Sequence, residues 1–167
     1  MDFILAMFIF SVCIMIYYKT LPNVKLKSEN PVDEAYLDAK AIASSVVSLG
    51  SPLNWTNDSV QRIGIVDYGN EISERKVTEF KSMASSDYYR TKTMLGVTSD
   101  FIVYFIDNEQ AFLDINNTGV IGFPTVAESA APDYTNVTEV GCRNLVRIER
   151  IMLYNNSPAK MVIFTWN

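Results

Sequence analysis

Histidine is missing from all 167 residues. Its absence removes the commonest general base and the commonest metal ligand together. Cysteine is nearly absent too, with only Cys13 and Cys142. The first lies inside an apolar N-terminal run and the second deep in the polar part of the chain, so a bridge between them would draw the one into the other's solvent. Cys142 reads as a small buried hydrophobe. No basic stripe interleaved with aromatics occurs, and a net charge of -5 with a pI near 4.7 disfavours nucleic acid, whose phosphates want clustered Lys and Arg. There is no Gly-rich phosphate loop, no zinc spacing, no Gly-x-Ser-x-Gly elbow and no Ser/His/Asp set. An enzyme would have to work with Asp, Glu, Lys, Tyr or Ser alone, so the expectation is no enzyme and no cofactor. The acidic group Asp33, Glu34 and Asp38 fits a helix N-terminus, where carboxylates stabilise the dipole without catalysis. Glu71 and Glu74 lie beside the next helix, and a cation site would need oxygens converging from several segments, as Asp133 with Asn136 could supply.

What is present begins with one long apolar run. From Phe3 to Tyr18 there is no charge, no proline and no glycine. As a helix those positions span about 24 Å, a little short of a ~30 Å hydrocarbon core. A cleaved secretory signal would want a basic start and a small-residue cleavage site, whereas Asp2 is acidic and Tyr17 to Leu21 offers no such site. A core helix of a soluble domain would need apolar residues on one face only. An anchor or assembly helix accounts for Phe3, Ile4, Leu5, Phe8, Ile9, Val12 and Ile16 pointing all around the axis, and Tyr17, Tyr18 and Lys19 make an interfacial end. The domain division expected is therefore 1–22 as hydrophobic anchor and polymerisation helix and 23–167 as a single domain with one core.

Asparagine followed two residues later by Ser or Thr occurs five times, at Asn54, Asn57, Asn116, Asn136 and Asn155. Chance would give roughly two from this composition. These five are candidate glycosylation sites on an extracytoplasmic surface, each with the alternative of an ordinary polar turn. The charge rule for topology points the other way, because Lys19, Lys25 and Lys27 follow the apolar run and nothing basic precedes it. A short basic leader removed before assembly would reconcile the two.

Pro22 ends or kinks the first helix. The next helix carries Asn30 as N-cap, Pro31 at its first position, Asp33 and Glu34 in its first turn and Gly50 as a C-terminal stop, with Val32, Ala35, Tyr36, Ala39, Ile42, Ala43, Val46 and Leu49 as its apolar stripe. Trp55 is expected to tuck back onto the core. A short strand is predicted around Ile63, Ile65 and Val66, then a helix after Ser73 with Ile72 and Val77 as a hydrophobic staple. Asp87 caps a further turn or two, which Gly96 ends. Asp100 to Asp107 has the composition of a central strand buried on both faces, Val120-Ile121 of a short strand, and 143–166 of a β-hairpin turning at Asn155 to Pro158. The fold class expected is α+β: a long N-terminal hydrophobic helix, then an amphipathic helix packed on an antiparallel sheet.

The start Asp2-Phe3-Ile4-Leu5, the Pro22 kink, the amphipathic helix and the β-rich C-terminal part together resemble the archaeal type IV pilin-like proteins with class III signal peptides. Pro52-Leu-Asn54-Trp55-Thr56, Val60-Gln-Arg-Ile63-Gly64-Ile65, Ser73-Glu-Arg-Lys76-Val77 and Met161-Val-Ile-Phe-Thr-Trp166 look like the membrane-anchored pilin-like proteins of methanogens and other euryarchaea. The resemblance implies a leader cut just before the apolar helix and mature helices bundled into a filament core. The sequence departs from the pattern in showing no Lys/Arg-Gly leader, and Leu5 stands where bacterial pilins carry an acidic residue. The function implied is a major or minor pilin-like subunit of a cell-surface filament, held in the cytoplasmic membrane before assembly. Its partners would be copies of itself, other pilin-like subunits and the membrane, with no nucleic acid. The alternative is a monomeric membrane-anchored extracellular domain for adhesion or for binding a glycan or partner.

Overall fold

A computed structural model of the chain describes residues 7–15, 30–123 and 143–167. They form four helices and a four-stranded antiparallel sheet. Residues 7–15 are helical (α1), followed by α2 (Pro31–Val46), α3 (Glu74–Ser86) and α4 (Tyr88–Leu95), then β1 (Asp100–Ile106), β2 (Ile121–Gly122), β3 (Val146–Tyr154) and β4 (Ser157–Trp166). No helix among the described residues is long and apolar enough to cross a membrane. The helix expected over 3–18 is thus described over 7–15 only; Phe3, Ile4, Leu5 and Ile16 lie outside the described residues, as do Pro22, Asn136 and Cys142.

The sheet runs β2-β1-β4-β3. β1 and β4 are inner strands, which is why their residues are apolar on both faces: six of the seven β1 residues are buried. Phe101, Val103 and Phe105 of β1 join Ala159, Met161 and Ile163 of β4 in the main core beneath α2 and α3. Ile102, Tyr104 and Ile106 join Val162, Phe164 and Trp166 in a second cluster on the opposite face. The hairpin β3–β4 turns on Asn155 and Asn156 alone, with φ of 50° and 61°, so that Tyr154 pairs directly with Ser157. Positive φ at both central positions is the turn whose twist matches paired strands, and Asn tolerates it better than other non-glycine residues. The turn is tighter than the four-residue one predicted.

Helix α2 begins as expected: the Asn30 side chain accepts from the Val32 N–H, and Pro31 occupies the first turn. Ala35, Ala39, Ile42, Ala43 and Val46 are buried against β3 and β4, and the Thr165 hydroxyl donates to the Ala35 carbonyl. The small residues let helix and sheet approach closely. Of the others predicted in the same stripe, Val32 and Tyr36 are exposed on its flank, and Leu49 lies past its end, also exposed. The helix stops at Val46, four residues before Gly50.

The strand predicted around Ile63, Ile65 and Val66 does not form. These residues are buried, but their backbone pairs with the end of α2: the Ile65 N–H donates to the Val46 carbonyl at 2.8 Å and the Val66 N–H to the Ser48 carbonyl at 3.2 Å. Carbonyls left over at a helix C-terminus compete for the same N–H groups a neighbouring strand would use. Gly64 allows the close approach, since a side chain there would collide with the Ser48 carbonyl and the Gly50 amide. Asp87 caps α4 through the Arg90 N–H and Gly96 ends it at φ 72°, both as predicted. Ser73 precedes α3, but its side chain makes no capping bond.

Candidate functional site

Among the described residues no group of three or more His, Cys, Asp or Glu could hold a metal ion. The polar groups that do converge are structural ties. Lys76 on α3 is fully buried, and its ammonium donates to the Leu49 carbonyl at 3.0 Å and the Val66 carbonyl at 2.8 Å and pairs with Asp67 at 2.7 Å. One side chain thereby fastens α3 to the end of α2 and to the 66–67 turn. Burial pushes the Asp67 carboxyl up, but hydrogen bonds from Lys76 and Ser73 and the positive charges of Lys76 and Arg75 outweigh it and hold it below the ordinary carboxylate value.

The acidic residues of α2 do more than face the helix dipole. Asp38 accepts from the Thr98 and Ser99 N–H groups at 3.0 and 2.8 Å and from the Thr98 hydroxyl, which Glu34 also accepts. These bonds bind one flank of α2 to the segment leading into β1. On α4, the Tyr88 hydroxyl donates to Asp100 and accepts from the Phe101 N–H, while Lys92 pairs with Asp100 at 2.9 Å. Burial pushes the Tyr88 hydroxyl well above the ordinary tyrosine range. Glu74 accepts from the Tyr154 hydroxyl at 2.7 Å, which raises that hydroxyl as well. Trp55 does tuck onto the core, fully buried with its indole N–H on the Gly64 carbonyl at 2.8 Å.

The five asparagines of the Asn-x-Ser/Thr motifs divide by geometry. Glycosylation joins sugar to the amide nitrogen, so that nitrogen and the following hydroxyl must be reachable. Asn54 is exposed, and no described side chain holds its amide. Asn57 is half-buried: its N–H donates to Glu79, its side-chain nitrogen to the Ser86 hydroxyl, and Arg90 donates to its carbonyl. Asn116 donates to the Thr78 hydroxyl, and its partner Thr118 is buried with its own hydroxyl on the Ile115 carbonyl. Asn155 is exposed at the hairpin turn. Six of the seven described non-glycine residues with positive φ are asparagines: Asn70, Asn116, Asn117, Asn144, Asn155 and Asn156. Two of the five motif asparagines, Asn116 and Asn155, therefore serve left-handed turns. The Asn-Asn doublets at 116–117 and 155–156 were the available signal, because consecutive asparagines are what such turns select.

The remaining conspicuous feature is α1. Each of its nine described residues is exposed, including Met7, Phe8, Ile9, Phe10, Val12, Ile14 and Met15. Phe8 and Phe10 are 68% and 66% exposed. No known protein family, curated protein or solved structure matches the chain.

Proposed function

We propose that the chain is a structural, pilin-like subunit of a cell-surface filament, held in the cytoplasmic membrane through its N-terminal apolar run and assembled through it. One observation carries this reading: α1 is an apolar helix that nothing among the described residues covers. Large apolar side chains on every side of a helix are unfavourable in water by roughly 25 cal/mol per Å2 of exposed apolar area. Lipid tails or the same helix from neighbouring copies cover such a surface equally well, so storage in a membrane and bundling in a filament need no refolding. The α+β domain, with its amphipathic α2 laid on the sheet, supports the reading as the globular head expected on such a stalk. Cell-surface placement rests on the Asn-x-Ser/Thr motifs, of which Asn54 and Asn155 are open to modification.

A monomeric anchored ectodomain is the second reading, favoured by Tyr68 and Tyr89, which stand 76% and 80% exposed and offer amphipathic rings to a partner. The deciding experiment is intact mass and N-terminal sequencing of the protein from its native cells, followed by electron microscopy of the cell surface. A mature N-terminus near Asp2 produced from a longer precursor, together with subunits in filaments, is the expected result. An unprocessed Met1 and a protein that stays monomeric in the membrane would overturn the filament reading.

A further inference from the structure

Among the described residues β3 is an edge strand, and only part of its outer edge is occupied. The Leu153 carbonyl accepts from the Ile72 N–H at 2.8 Å and its N–H donates to the Asn70 carbonyl at 3.4 Å, so the backbone of Leu153 points away from β4. The β3–β4 register is constant from Val146 to Tyr154, and antiparallel pairing alternates inward and outward groups. The backbone groups of Arg147, Glu149 and Ile151 therefore also point outward, and among the described residues nothing pairs with them. Their side chains are exposed as well, Ile151 by 72%. The open stretch runs from Val146, where the β3–β4 register begins, to Ile151, just before the part of the edge claimed by Asn70 and Ile72. Ile148 lies near its middle, between the outward-pointing Arg147 and Glu149.

We infer that a second copy of this chain pairs antiparallel with β3 across a two-fold axis at Ile148, joining two sheets into one of eight strands. Charge selects this register. An axis at Arg147 would set two guanidinium groups opposite each other, and an axis at Glu149 two carboxylates. An axis at Ile148 sets Arg147 opposite Glu149 of the second copy, twice, on positions whose backbone groups both point outward. Like charges directly opposite are unfavourable and unlike ones favourable. Charges on an edge strand ordinarily discourage pairing; here their order leaves one self-complementary register.

Helix α2 adds a second observation. Glu34 and Asp38 bind its one flank to Thr98 and Ser99, on the β1 side of the sheet. At 100° per residue, Val32, Tyr36 and Lys40 occupy the other flank, on the β3 side. Val32 and Tyr36 are 41% and 48% exposed there, and the two-fold brings two such flanks toward each other over the seam. This pairing is independent of any assembly through α1.

The test uses two charge reversals in the full chain in detergent, Arg147→Glu and Glu149→Arg, with sedimentation equilibrium as the readout. Each variant alone sets like charges opposite at both central pairs, and each should self-associate about tenfold or more weakly than wild type. An equimolar mixture of the two restores unlike charges at every central pair, and only between molecules, so it should form a heterodimer. The neighbouring Arg147–Glu149 ion pair within each strand (2.6 Å) is broken in both variants, so rescue by mixing cannot come from it. Unchanged circular dichroism establishes that both variants are folded, and amide exchange at Arg147, Glu149 and Ile151 should slow as wild type is concentrated. A monomeric wild type, or oligomers that are indifferent to the reversals and show no rescue on mixing, would overturn the inference; the latter is the signature of assembly through α1 alone.

Discussion

Replacing Lys76 by Met isolates what one buried ammonium contributes. Methionine keeps the length of the side chain and the helix propensity of α3, so the change removes the charge and its three bonds and little else. The Leu49 and Val66 carbonyls each lose a charge-assisted donor, worth roughly 1.5–3 kcal/mol apiece. Relief from desolvating the fully buried ammonium offsets part of that sum. Asp67 adds little to the loss, since its side chain is 53% exposed and water replaces the ion pair. The balance is a destabilisation of about 2–3 kcal/mol, or about 6–10 °C in melting temperature for a domain of this size. Denaturant unfolding of the full chain in detergent, followed by the fluorescence of the buried Trp55 and Trp166, measures it. A loss below about 1 kcal/mol would refute the view that Lys76 joins α3 to α2. An Asp67→Asn background should leave most of that loss intact, because the carbonyl bonds rather than the 2.7 Å Lys76–Asp67 pair carry it.

The same pair sets a pH dependence. The folded-state carboxyl of Asp67 lies below its ordinary 3.8, so its contribution is fully present above that value and is lost as the pH falls below 3.8 through the lower folded value; an acid titration of stability should show a step there that Asp67→Asn removes. Gly64→Ala should cost about 3 kcal/mol or more, because its methyl meets backbone at Ser48 and Gly50, and a fully native melting curve would refute that packing. Asn156→Gly should stabilise the hairpin by about 0.5 kcal/mol and Asn156→Ala destabilise it by about 1 kcal/mol, read from chemical denaturation. Asp38→Ala frees the Thr98 and Ser99 amides and should cost about 1–2 kcal/mol, with faster exchange of those two amides as the local signature.

The elements written in strong local chemistry were legible. Asn30-Pro31 before an apolar stripe marks α2, Asp87 and Gly96 bracket α4, and the unbroken apolar run of β1 announces an inner strand. The segment around Ile63 was misread because apolar alternation signals burial, while the partner of its N–H groups is decided by which acceptors lie nearby. Those acceptors are the last carbonyls of α2. The long-range ties were also illegible. Nothing near Lys76 in sequence marks it as fully buried, since two of its three acceptors are backbone carbonyls, and backbone carries no residue signature. Asp38 looked like helix-dipole chemistry because its partners stand 60 and 61 residues away. For the candidate sites, the motif around Asn116 was visible, but the burial of Thr118 was not.

The position of β4 has a consequence for biogenesis. It follows every other strand in the chain, yet it lies between β1 and β3 and pairs with both along their full lengths. A nascent chain emerging from the ribosome can make its helices and the short β1–β2 contact, but the sheet has no centre until the residues from Ser157 to Trp166 arrive. Until then the apolar faces of β1 and α2 lack their main cover. A chain whose synthesis stops before that strand presents these surfaces to chaperones and proteases, so the fold is not sealed until β4 has been made.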